Sequence, residues 1–105
     1  METSERRRHP RAALRQAIPV AWRAASAGTV SRTPSVSLGG LFIATTQPLP
    51  QGTMLQVLFD TPGGEVRARA VVKSVRPRGG MGVEFVAMQM QDRARLHQFL
   101  KNLPN

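Results

Sequence analysis

The side chains best equipped for chemistry in this sequence are arginines, and they crowd its start: Arg6, Arg7, Arg8, Arg11 and Arg15 fall within ten residues. A guanidinium presents a planar fork of donors that pairs bidentately with a phosphate or with the O6 and N7 edge of guanine. A lysine ammonium is a point charge that cannot do this. Lysine is limited here to Lys73 and Lys101, so the formal charge of +9 is carried almost wholly by arginine. The balance points to an anionic partner, read by geometry as well as attracted by charge. An arginine-rich composition accounts for scattered residues such as Arg93 and Arg95, but not for five in ten. Pro10 removes a donor and holds His9 extended, which argues against a helix through Arg7 and Arg11. The stretch is expected to be an irregular arm, either a loop that folds over a ligand from two sides or a solvated basic tail.

A second segment has a different chemistry. Ser35-Val36-Ser37-Leu38-Gly39-Gly40 places small hydroxyls before a glycine pair at a strand junction. Glycine lets a backbone come close to a phosphate or a base, and a serine hydroxyl donates to an anionic oxygen. The same residues also suit an ordinary hairpin turn.

Catalytic parts are missing. The chain has neither cysteine nor tyrosine, and its six carboxylates are dispersed without sequence pairing. His97 has no acid partner nearby in sequence, and no serine occupies a Gly-x-Ser-x-Gly elbow. His9 and His97, with no third ligand and no thiolate, do not make a metal site. The expectation is a binding module, not an enzyme, without cofactor or metal. No apolar run approaches the ~20 residues of a membrane span, and no apolar region follows the N-terminal arginines as a signal would require. Cytoplasmic location without membrane insertion is therefore expected.

These segments need a scaffold, and the hydropathy pattern describes one. After an arm of residues 1–15, Ile18, Val20, Trp22 and Ala24 alternate with Pro19, Ala21 and Arg23, the period of a half-buried strand. Ala27-Gly28 marks a turn. Val30 to Val36 is a weaker strand interrupted by Pro34, which predicts an edge or a bulge there. Leu41 to Thr45, Met54 to Asp60, Glu65 to Arg76 and Met81 to Ala87 are further strands, separated by Gly- and Pro-rich turns. Only the end changes period. Leu96, Phe99, Leu100 and Leu103 form one stripe of a helix expected over about 91–103. Asp92 in its first turn and Lys101 in its last suit the helix dipole, and Pro104 stops it. One mainly β domain over 16–105 is expected, a small antiparallel barrel with a C-terminal helix.

In this order the motifs resemble the PilZ domain family. Its Arg-Arg-x-x-x-Arg arm is matched by Arg6-Arg7 and Arg11. Its Asp/Asn-x-Ser-x-x-Gly motif is matched at Ser37 and Gly40, with Leu41-Phe42-Ile43 following as in the family. Gly80-Met81-Gly82-Val83-Glu84-Phe85 looks like the family's last barrel strand, and the likeness runs from Arg6 to about Leu103. The resemblance implies a six-stranded antiparallel barrel that receives cyclic di-GMP, often as an intercalated dimer. It further implies that Arg7 and Arg11 contact guanine edges and phosphates, with Arg6 and Arg8 as auxiliaries. Ser35, Ser37 and Gly40 would line the other side of the site. The sequence departs from the motif at Ser35, where the family carries Asp or Asn. A shorter hydroxyl there forfeits a hydrogen bond of about 0.5–1.5 kcal/mol, enough to weaken binding roughly ten-fold. A receptor that passes its signal to a separate, unidentified effector protein is the leading expectation. A nucleotide-independent PilZ-like adaptor is the alternative. A nucleic-acid binder is the third, disfavoured because stacking platforms need exposed aromatics and the chain has four Phe and one Trp.

Overall fold

A computed structural model of the chain describes residues 12–103. Six strands follow one another, β1 (Ala12–Arg23), β2 (Gly28–Val36), β3 (Gly40–Ile43), β4 (Met54–Thr61), β5 (Gly64–Arg76) and β6 (Gly80–Ala87), and then one helix, α1 (Met90–Lys101). All pairings are antiparallel, and the sheet closes on itself in the order β1-β2-β3-β6-β5-β4. Closure gives each of the six strands a neighbour on both sides.

The period-2 pattern decides which side chains fill the barrel. Val20 and Trp22 of β1, Leu41 and Ile43 of β3, Leu55, Val57 and Phe59 of β4, Val66 to Val72 at alternate positions of β5, and Met81 and Val83 of β6 point inward and are buried. The Trp22 indole is buried as well, and its Nε1 donates to Ser31 Oγ at 3.0 Å, so its polar atom is not stranded.

Two boundaries differ from the sequence reading. Ala12–Arg15, assigned to the arm, already belong to β1 and pair with β2 at Ala12↔Val36 and Ala13↔Ser35. Their alternation is half-buried Ala12 and Leu14 against exposed Ala13 and Arg15, and alanine on both faces hides it from a hydropathy scan. The helix runs from Met90 to Lys101 and not to residue 103. Leu103 lies past the C-cap Asn102 and precedes Pro104, which disfavours helical backbone in the residue before it.

Pro34 produces a bulge and not an edge. Between Ala13 and Ile18 the β1 strand advances five residues while β2 advances two, from Ser35 to Thr33, and Pro34 occupies that gap. A residue without an N–H fits where the ladder is already broken.

Helix α1 completes the barrel where a strand runs out. β6 stops pairing with β5 at Ala87↔Arg69, which leaves the first residues of β5 with β4 alone. The exposed polar groups of that stretch are taken by helix side chains. Asp92 Oδ1 accepts from the Arg67 backbone N–H at 3.0 Å, and Arg95 Nη1 donates to the Glu65 carbonyl at 3.0 Å. Gly64 allows the approach, since a Cβ there would lie 2.9 Å from Arg95 Nε. Leu96 is fully buried in the core, with Phe99 and Leu100 packed against it.

Candidate functional site

The segment singled out by its serines and glycines is the turn from β2 into β3, and its local chemistry explains its shape. Ser37 is buried. Its Oγ accepts from the backbone N–H groups of Gly39 at 3.0 Å and Gly40 at 3.2 Å, and lies 3.3 Å from the Gly40 carbonyl, to which it donates. The Ser37 N–H donates to the same carbonyl at 2.8 Å. One donor and two acceptor lone pairs are all a hydroxyl has, so Ser37 is fully engaged within the turn.

Gly40 has an equally local reason. A Cβ on it would lie 2.0 Å from the Val83 carbonyl oxygen of β6, closer than any side chain permits. The close approach that glycine allows here is that of strand β6, to which the turn is further fastened by the Phe85 N–H on the Gly39 carbonyl at 2.8 Å.

Ser35 is different. It is half-buried, its carbonyl accepts from Thr33 Oγ1 at 2.9 Å, and it stands directly across from Ala13 of β1. Among the hydrogen bonds of the described residues, none engages its hydroxyl. Of the sequence-predicted site, then, the structure brings together Ser35 at the end of β2 and Ser37 and Gly40 in the turn that follows, and sets the start of β1 beside Ser35. Arg6, Arg7, Arg8 and Arg11 lie outside the described residues.

One neighbouring feature escaped the sequence reading. Phe42, two residues beyond Gly40 on the same outward face of β3, lies flat over β6, where a Cβ on Gly80 would meet its ring at 2.5 Å. Its partner across the ladder is Gly82, and the Arg76 guanidinium covers the ring at 5.1 Å from its centroid. The signal was the pair of glycines at alternate positions in β6, which leaves room on one face for an aromatic from the next strand. Nearby, Lys73 and Glu84 form an exposed ion pair at 3.7 Å. Among the described residues no group of three or more His, Cys, Asp or Glu could hold a metal. No helix among them is long and apolar enough to cross a membrane.

Comparison with known proteins agrees with this geometry. A family model described as the PilZ domain matches residues 5–102. No curated protein matches the chain. Among solved structures, the PilZ domain of CeSA from a cellulose-synthesizing bacterium superposes with a TM-score of 0.67 at 18% identity, covering 88% of this chain and 96% of that one. The Bacillus subtilis inhibitor of motility (MotI/DgrA) gives 0.75 at 16% identity, covering 90% of this chain and 50% of its own. The K. pneumonia MrkH–c-di-GMP complex gives 0.74 at 19% identity, covering 91% and 51%. The chain thus spans about half the length of the latter two, and at these identities the likeness is one of fold.

Proposed function

The chain belongs to the PilZ domain family, a family of cyclic di-GMP-binding modules, and from that premise we propose that it is a cyclic di-GMP receptor that relays the signal to an effector protein. The observation that carries this reading is the register of β1 on β2. By pairing Ala12 with Val36 and Ala13 with Ser35, it sets the start of β1, the first described residue after Arg11, beside the strand end that leads into the Ser37–Gly40 turn, which supports the reading.

The roles divide by chemistry. Arg7 and Arg11 pair with guanine edges and phosphates, assisted by Arg6 and Arg8. Ser35 supplies the motif's free hydroxyl toward the base. Ser37 and Gly40 shape the turn on which the nucleotide rests, Ser37 through its bonds to Gly39 and Gly40 and Gly40 by admitting β6. Ligand binding draws the arm onto the barrel and so changes the surface offered to a partner. That MrkH was solved in complex with c-di-GMP supports the ligand class for this fold.

A nucleotide-independent adaptor is the second reading. Serine at position 35 and the internal engagement of Ser37 favour it, since both reduce the donors and acceptors left for a nucleotide. Nucleic acid is disfavoured: Trp22 and Phe59 are buried, and Phe42, Phe85 and Phe99 are half-buried, so the described residues offer no exposed stacking platform.

Isothermal titration calorimetry with cyclic di-GMP at moderate salt tests the proposal, with Arg7→Ala/Arg11→Ala as control and GTP as competitor. Saturable binding that the double variant loses and GTP does not displace is the expected result. Absence of heat at tens of micromolar protein and excess nucleotide overturns it in favour of the adaptor.

A further inference from the structure

An open groove of about 1060 Å³ runs along the outer face of β1, β4 and β5 to the start of α1. The registers Arg23↔Gln56 and Gln56↔Arg69 place these residues in one row across three strands, and the adjacent row is Ala21, Leu58 and Arg67. At the ~4.8 Å spacing of neighbouring strands, Arg23 and Arg69 stand about 10 Å apart at their Cα atoms. The floor is apolar, from the half-buried Ala21 and Leu58, and Met88 continues it toward the helix.

The cations on this face are unequally engaged. Arg67 pairs with Glu65 at 3.1 Å, and Arg95 is held by the Glu65 carbonyl. Arg23 reaches only a neutral amide, Gln56 Oε1, at 3.4 Å, and neither it nor Arg69 has a carboxylate partner among the described residues. Two exposed guanidinium groups on an apolar floor make a surface complementary to carboxylates.

We infer that this groove docks an acidic, extended segment of a partner protein. The spacing suits one chain: Arg23 and Arg69, about 10 Å apart at their Cα atoms, are both within reach of carboxylates on a single extended segment, which advances about 3.4 Å per residue. Gln56, Gln89 and Gln91 line the groove with amides that both donate and accept, as the backbone of a peptide requires. Since the barrel is closed, the segment is held by side chains and not by strand addition. The two acids in the lining are already engaged, Glu65 by Arg67 and Asp92 by the Arg67 N–H, and among the described residues no exposed aromatic is present to stack a base, which disfavours a nucleic acid. Met90, 88% exposed beside the groove at the start of α1, offers an adaptable apolar contact at the rim. The inference deepens the relay half of the proposed function and rests on it for the existence of a partner, but not on nucleotide binding.

The test is fluorescence anisotropy with a labelled (Glu-Ala)6 peptide, comparing the wild type with Arg23→Gln/Arg69→Gln and with the charge-matched Arg78→Gln/Arg93→Gln. The groove variant is expected to weaken binding about fivefold, as for two exposed ion pairs, and the matched variant less than twofold. Amide shifts induced by the peptide are expected at Ala21, Leu58 and Met88. Equal losses in both variants would reduce the effect to net charge and overturn the inference. No binding to the wild type at millimolar peptide would do the same, as would tighter binding of dodecathymidylate through Arg23 and Arg69. Nucleotide titration separates the two claims: unchanged cyclic di-GMP binding with weakened peptide binding in the groove variant leaves both standing, and a wild type that binds the peptide but not the nucleotide sinks the receptor alone.

Discussion

At the scale of single residues, Ser37 and Gly40 build the turn, whereas the Ser35 hydroxyl makes no hydrogen bond among the described residues. Ser37→Ala removes the acceptor of two backbone N–H groups in a buried turn. The expected loss is about 2 kcal/mol of stability, which in a domain of this size lowers the melting temperature by roughly 10 °C. Gly40→Ala is expected to cost more, because its Cβ cannot coexist with the Val83 carbonyl 2.0 Å away unless β3 and β6 part. Denaturant titration followed through Trp22, the single tryptophan and a buried one, measures both. Ser35→Asp does the opposite. It restores a carboxylate opposite Ala13 where no hydrogen bond of the described residues is lost, and cyclic di-GMP affinity is expected to rise about ten-fold by calorimetry. An unchanged affinity would mean that Ser35 does not face the base.

At the scale of elements, α1 does the work of a missing strand. Where β6 ends, Asp92 and Arg95 take up the Arg67 N–H and the Glu65 carbonyl, two groups on the same edge of β5. Asp92→Ala should therefore accelerate hydrogen exchange at the Arg67 amide at least ten-fold, whereas Asp92→Asn, which keeps an acceptor oxygen, should protect it. Exchange unaltered in both variants would show that the helix dipole and not this bond is what Asp92 serves. Leu96→Ala removes the fully buried anchor of the helix and is expected to cost about 2–5 kcal/mol. The bulge at Pro34 is the second elemental device. By letting five residues of β1 pass two of β2, it sets which residues of β1 meet the end of β2.

At the scale of the whole molecule, the formal charge of +9 acts on any anionic ligand before contact is made. Raising salt from 0.1 to 1 M shortens the Debye length from about 10 to about 3 Å. The association rate of cyclic di-GMP, measured by stopped flow, is expected to fall severalfold over this range while its dissociation rate changes little. Equal association rates at both salts would show that the arginines act only after docking.

Period-2 hydropathy and Gly/Pro punctuation sufficed to predict strands over the stretches that became β2 to β6, because burial on one face of a strand imposes alternation on the chain itself. The helix declared itself for the same reason at a different period, through Leu96, Phe99 and Leu100. The family, too, was legible from the type and order of the motifs. Three things were not. Ala12–Arg15 joined β1 because alanine carries almost no hydropathy signal, and only pairing with Ser35 and Val36 shows the strand. Gly40 and Ser37 read as ligand-facing, yet the contacts that explain them come from β6 and from the turn's own backbone, more than forty residues away in the case of Val83. The arginine row over β1, β4 and β5 is spread across Arg23 and Arg69 in sequence and exists only because the strands pair in that register. A sequence records each residue's preference for water or core, which is local. Which residues become neighbours depends on how the sheet closes, and that only the tertiary structure decides.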